Sequence, residues 1–182
     1  MNGAFVVDVN VAIVANGNHA PAGLACRLSC IQALREARDE MVCLDDGDRI
    51  LGEYRRHLSM GGQPGVGDEF MHWIHHNQHN PSSCERVLIT AREDDDQDFK
   101  EFPRDADLTR FDRSDRKYVA VALGSKHRPE VLNASDTDWW QFRVPLERNG
   151  VRIRFLCPGL MHDDRDGSPM SGHGDGSEHH ES

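Results

Sequence analysis

The sequence predicts a three-layer α/β domain with a central, largely parallel sheet, on three observations. Short apolar runs rich in β-branched residues alternate with segments whose apolar residues recur at helical spacing. Two of the predicted strands run directly into acids, the place where a parallel sheet carries its working residues. The chain has 182 residues, enough for one buried core, and its low hydrophobic content of 37% is concentrated in a deficit at one end.

Residues 3–7 (GAFVV) read as a buried strand ending at Asp8. A helix follows over residues 22–40, with Leu24, Leu28, Ile31, Leu34 and Ala37 on its apolar face. Residues 41–44 (MVCL) form the second strand. Asp46 or Asp48 caps the next helix, which runs to about Ser59 with Ile50, Leu51, Tyr54 and Leu58 on one face. A turn-rich loop over 59–67 leads to a helix over 68–79, stopped by Asn80-Pro81. Residues 86–90 (RVLIT) make the third strand. Residues 92–107 read as a charged loop with room for a short helical piece. The helix over 113–123 is apolar on all sides at Val119–Ala122 and therefore buried. A strand over 130–134, a short helix over 138–146 and a last strand over 152–156 complete the body.

From His162 onward the chain holds no aromatic and no branched aliphatic side chain. Such a composition cannot offset its ordering entropy, so residues 161–182 are expected as a disordered tail and 1–160 as the folded domain. The formal net charge is −10, from 21 bases and 31 acids. That excludes binding of nucleic acid by bulk positive charge. It leaves room for a carboxylate-rich site whose divalent cations reverse the local sign. Five cysteines without a CxxC pair, no signal peptide and no run of 18 apolar residues point to a cytoplasmic protein with no membrane span. The cysteines then serve as small packing residues.

The acids each have a simple explanation. Asp8, Asp136 and Asp138 stand where helix caps stand, Asp138 being the better cap of the last two. Asp112 reads as the cap of the helix whose first turn holds Asp115. Glu53 lies at pairing distance from Arg49, Arg56 and His57 along its helix. Together, four carboxylates at one sheet edge repel one another unless a cation neutralises them. Oxygen donors of this kind select Mg²⁺ or Mn²⁺ over zinc, and such ions activate water for phosphodiester hydrolysis.

Four segments carry a resemblance to one family. VVDVNVAIVAN (6–16), an apolar strand ending in Asp-x-Asn, resembles the opening motif of PIN-domain nucleases. ILGEYRRHL (50–58) resembles their helical Glu motif. FDRSDRKYVAVAL (111–123) is similar to the third, and LNASDTDWW (132–140) to the fourth, in which a strand ends in Asp-x-Asp before an aromatic. They occur in the family's order. The resemblance implies a Mg²⁺- or Mn²⁺-dependent endonuclease, usually acting on RNA, with Asp8, Glu53, Asp115 and Asp136 as ligands. Asp138 becomes an auxiliary ligand or a water-positioning group, and Asn10 a partner supporting Asp8. Toxin-like or defence-related members of that family imply an inhibitory partner protein and a homodimer. One departure concerns position 134, where members often carry Thr or Ser; here Ala134 stands there, with Ser135 adjacent as a substitute.

Other features have plainer readings. His72, His75 or His76, and His79 share a helix face, read as solvated in preference to a zinc site. Trp139-Trp140 anchors the last helix. Arg55-Arg56, Arg113, Arg116-Lys117 and Lys126-His127-Arg128 either surround the site and hold phosphates or make surface salt bridges. A PIN-like adaptor without catalysis is the second reading. A phosphate enzyme with Asp8 as nucleophile is the third, disfavoured by Asn10 and by Asp136 where such enzymes carry Lys.

Overall fold

The computed structural model describes residues 3–161; the expected tail from 162 onward lies outside them. Strand β1 (Phe5–Val7) leads into helices α1 (Val9–Ala15) and α2 (Leu24–Asp39), then β2 (Val42–Asp45). Helices α3 (Arg49–His57) and α4 (Val66–Asn77) precede β3 (Cys84–Val87). A hairpin, β4 (Ala91–Arg92) and β5 (Asp95–Phe99), stands apart from the main sheet. Helix α5 (Arg116–Gly124), β6 (Glu130–Asn133), α6 (Thr137–Gln141), α7 (Arg143–Arg148) and β7 (Arg152–Phe155) follow.

The five-stranded sheet has the order β3-β2-β1-β6-β7, and every neighbouring pair is parallel. Right-handed crossovers then set the layers. Helices α1–α4 connect strands laid down in one direction and pack on one another. The chain returns past β1 and continues the other way, with α5 packed on β2, β1 and β6. The expected α/β/α architecture is therefore present. The order reverses between β1 and β6, so the switch point lies where those two strands end. Val6, Leu44, Tyr54, Tyr118, Val131 and Trp139 are all fully buried in one continuous core.

Several local expectations are corrected. Residues 9–15 form a helix that β-branched composition concealed. The Asp8 carboxylate caps it by accepting from Asn10 N at 3.0 Å, and burial of Val9, Val11, Ala12, Val14 and Ala15 overrides their propensity. It packs closely on α4, where a Cβ added at Gly67 would lie 2.1 Å from the Ala12 carbonyl oxygen. Helix α3 is capped by neither Asp46 nor Asp48. Buried Asp45 accepts from Arg49 N and Ile50 N, both at 2.8 Å, while Asp46 accepts from Ile89 N. The third strand starts two residues early because its register with β2 pairs Val42 with Cys84 and Asp45 with Val87.

The charged loop contains the β4–β5 hairpin. Its acids are poor strand formers, but ion pairs hold it: Arg92 and Arg116 grip Asp98 at 2.9 and 3.0 Å, and Arg113 holds Asp95 at 2.5 Å. The expected helix over 138–146 is two helices breaking at Phe142, since Pro145 has no N–H to return to Gln141.

Helix α2 is also rotated from expectation. Leu24 and Leu28 are exposed, and the inner face is Cys26, Cys30, Ala33, Leu34 and Ala37. Cys26 is joined to Cys157, 131 residues away, in a disulfide. These two cysteines are therefore a covalent link and not merely packing residues; Cys30, Cys43 and Cys84 are free and buried. Met161 is buried with the body, one residue beyond the expected boundary. Among the described residues, no helix is long and apolar enough to cross a membrane.

Candidate metal centre

Asp8 leaves the end of β1, and Asp136 follows β6 by three residues, so the switch point brings them together from 128 positions apart. Asp115 reaches the same place from the turn just before α5. One carboxylate oxygen from each of the three lies within 4.8 Å of the others. Asp8 and Asp115 are buried and Asp136 is half-buried.

Capping and clustering are not alternatives here. Asp8 caps α1, and Asp136 caps α6 by accepting from Asp138 N at 2.8 Å. This reverses the expectation that Asp138 is the cap. Asp112 does cap its turn, accepting from Ser114 N at 2.8 Å. Each clustered acid thus sits at a helix start, where exposed N–H groups ease the cost of its negative charge.

That relief is incomplete. Burial first, then the neighbouring Asp115 carboxylate, holds Asp8 well above the usual carboxylate range. Burial, then Asp136, pushes Asp115 up to about 7, with Lys117 working in the opposite direction. Burial also raises Asp136, against the hydrogen bond from Asp138 N. Three carboxylates that resist ionising together form a site that a divalent cation would complete.

Glu53 stands apart from this trio. Its Oε2 accepts from the Tyr118 hydroxyl and pairs with Lys117 Nζ, each at 2.7 Å. It remains close enough to raise both Asp8 and Asp115 through space. Asp138 is half-buried and acts on the trio through Asp136. Asn10 supports Asp8 with its backbone N–H, while its side-chain oxygen accepts from Ala134 N at 3.0 Å. Ala134 is fully buried in the core, and Ser135 is half-buried in the turn before Asp136.

The most consequential residue that the sequence left unassigned is Asn133. Fully buried, it donates from Nδ2 to Asp8 Oδ2 at 3.1 Å and accepts from Asp136 N at 3.0 Å. One amide thereby ties together the segments that carry two acids, just beyond the ends of β1 and β6. Trp139, expected only as an anchor, donates from Nε1 to Asp115 Oδ2 at 3.2 Å. Tyr118 accepts from Val9 N as well as donating to Glu53, and burial keeps its phenol well above its ordinary range, hence protonated. The only sequence signal for Asn133 was its place at a strand end.

A cleft of about 410 Å³ opens beside Glu53, lined by Arg49, Arg56, Arg113, Ser114 and Lys117 among others. A larger cavity, about 470 Å³, lies by the hairpin at Arg92 and Arg104, and neither of the two is lined by Asp8, Asp115 or Asp136. Of the expected phosphate-holding cations, Arg56, Arg113 and Lys117 line the cleft. Lys126, His127 and Arg128 precede β6 and so belong to the opposite edge of the sheet. Arg116 is buried against Asp98 and Phe102. Among the described residues, the histidines of α4 enter no metal-binding group, and His75, His76 and His79 are exposed. Comparison of the chain with protein-family models, with curated proteins and with solved structures finds no match, so the site is read from its own geometry.

Proposed function

We propose that the chain is a PIN-type, Mg²⁺- or Mn²⁺-dependent endonuclease that hydrolyses phosphodiester bonds, with RNA as its substrate. The observation that carries the reading is the convergence of Asp8, Asp115 and Asp136 at the switch point of a parallel sheet. Their donor set fits a hard cation: oxygen only, crowded, and raised in pKa first by burial and then by one another. Asp8, Asp115 and Asp136 would hold the ion, with Glu53 and Asp138 at its margin. The bound ion would lower the pKa of water and stabilise charge on the departing oxygen.

The chain's own groups supply the rest. Asn133 holds Asp8 against the Asp136 turn, and Trp139 orients Asp115. Lys117 pairs with Glu53 at 2.7 Å and fixes its place in the wall of the cleft. Exposed Arg56 offers positive charge in a cleft that Arg49, Arg113 and Lys117 share with Asp48, Glu53 and Asp96, Arg113 being paired with Asp95, and this charge is what would meet a substrate phosphate. A cytoplasmic location is part of this reading, and the Cys26–Cys157 disulfide is the observation against it, since such bonds are rare in reducing compartments.

Labelled RNA and single-stranded DNA, incubated with the full chain and Mn²⁺, test the proposal. RNA is cut, chelator stops it, and Asp8→Asn and Asp136→Asn abolish it. Intact RNA and DNA with the folded wild type, or undiminished cleavage by Asp8→Asn, would sink the reading.

A second reading has one observation in its favour. Lys117 and Tyr118 engage Glu53, leaving three clustered carboxylates where the resemblance implies four. A non-cleaving adaptor of the same fold follows if calorimetry detects no Mn²⁺ binding at millimolar concentration.

A further inference from the structure

We propose that Cys26, Cys30 and Cys157 form a second cation site, made of sulfur and suited to a soft d¹⁰ ion such as Zn²⁺ or Cu⁺, which the Cys26–Cys157 disulfide closes and reduction opens. This inference is independent of the nuclease reading.

Cys26 and Cys30 are one turn apart on α2 and point from its inner face, while Cys157 follows β7. The three sulfurs lie within 4.8 Å of one another. Tetrahedral bonds of about 2.3 Å set sulfurs roughly 3.8 Å apart, so once reduction breaks the Cys26–Cys157 bond those two sulfurs swing apart to take the ion together with Cys30. All three residues are buried, Cys30 completely. The other two free cysteines, Cys43 on β2 and Cys84 on β3, take no part in the group.

Cys30 packs in the core beside the disulfide as a free thiol, the third sulfur of the group. Burial pushes its thiol up to about 12, so it is a poor nucleophile at neutral pH and does not suit a thiol-exchange relay. Metal coordination deprotonates a buried thiol outright, which gives a third sulfur a function. Thiolates also select soft cations over Mg²⁺ or Mn²⁺, so the two centres differ in the ions they take.

The chemistry balances with a dithiol as reductant. The dithiol becomes its own cyclic disulfide, and Cys26 and Cys157 each gain an electron and a proton as their S–S bond breaks. Coordination then releases the protons of the three thiols to solvent and forms three metal–sulfur bonds, with the fourth tetrahedral position open. The segment concerned touches the acidic centre's own support, since Cys157 N donates to the Ala134 carbonyl at 3.1 Å, two residues before Asp136.

Cd²⁺ alone is the probe, added to the full chain after reduction with a phosphine and removal of excess reagent. Reduced wild type develops a thiolate-to-metal charge-transfer band in the ultraviolet that saturates at a single equivalent, with the matching mass in native mass spectrometry. Unreduced protein shows no band until it is reduced. Cys30→Ala loses the saturating band, and Cys30→Ser repeats the loss should the alanine variant fold poorly. Cys43→Ala and Asp8→Asn both retain it. A reduced wild type without the band, or a Cys30 variant that keeps it in full, overturns the proposal.

Discussion

Replacing Asp115 with Asn removes one negative charge from the acidic centre and almost no volume. The side-chain oxygen of Asn can still accept the Trp139 Nε1 bond that Asp115 accepts now. In metal-free protein, burial and Asp136 raise Asp115 from 3.8 to about 7. A shift of that size opposes the ionised native state by about 4 kcal/mol, at 1.36 kcal/mol per pKa unit. Because the folded pKa lies above the unfolded one, the native chain holds this proton more tightly than the unfolded chain. Its stabilising contribution is present below about pH 4 and is lost as pH rises through about 7. The variant has no such loss at this position. Urea unfolding in chelator, followed by tryptophan fluorescence, is therefore expected to show Asp115→Asn more stable than wild type at about pH 8, by up to about 4 kcal/mol. The gap narrows toward about pH 4, and relief of Asp8 by the same substitution acts in the same direction. Mn²⁺ reverses the order at high pH, stabilising wild type and leaving the variant behind. A variant equal to or weaker than wild type at about pH 8 in chelator would refute the argument that the three acids strain the empty site.

Three further substitutions test the supports. Asn133→Ala leaves Asp8 Oδ2 and Asp136 N without their shared partner, and Mn²⁺ affinity measured by calorimetry is expected to fall about 10–100-fold while circular dichroism stays native. Gly67→Ala drives a methyl into the Ala12 carbonyl and separates α1 from α4, lowering stability by about 1–3 kcal/mol in denaturant titration; an unchanged midpoint contradicts the close approach. Cys157→Ser opens a link spanning 131 residues and costs up to about 5 kcal/mol under non-reducing conditions on the loop-entropy account. Thiol counting supplies the check: three reactive cysteines in unfolded, unreduced wild type and five after reduction.

The alternation of apolar strands with helical segments determined the fold class. That pattern is local, and each strand needs only a few consecutive apolar residues to declare itself. Asp8 and Asp136 were legible for the same reason, since a strand end is a sequence position and a parallel sheet makes it a place. Asp115 was legible as the acid in the first turn of a buried helix.

What the sequence did not carry was everything that depends on approach across the fold. Residues 9–15 form a helix because burial on all sides outweighs their β-branched preference. The β4–β5 hairpin forms because Arg92, Arg113 and Arg116 neutralise acids that would otherwise stay solvated. Glu53 looked equal to the other acids until Lys117 and Tyr118 met it at 2.7 Å. Asn133 looked like any strand residue until β1 placed Asp8 beside it. Cys26 and Cys157 gave no sign of pairing across 131 positions. Composition and periodicity determined which elements exist and which edge of the sheet bears the acids. Only the packing of those elements decided which acids share a centre and which sulfurs converge, because partners far apart in the chain leave no periodic trace in it.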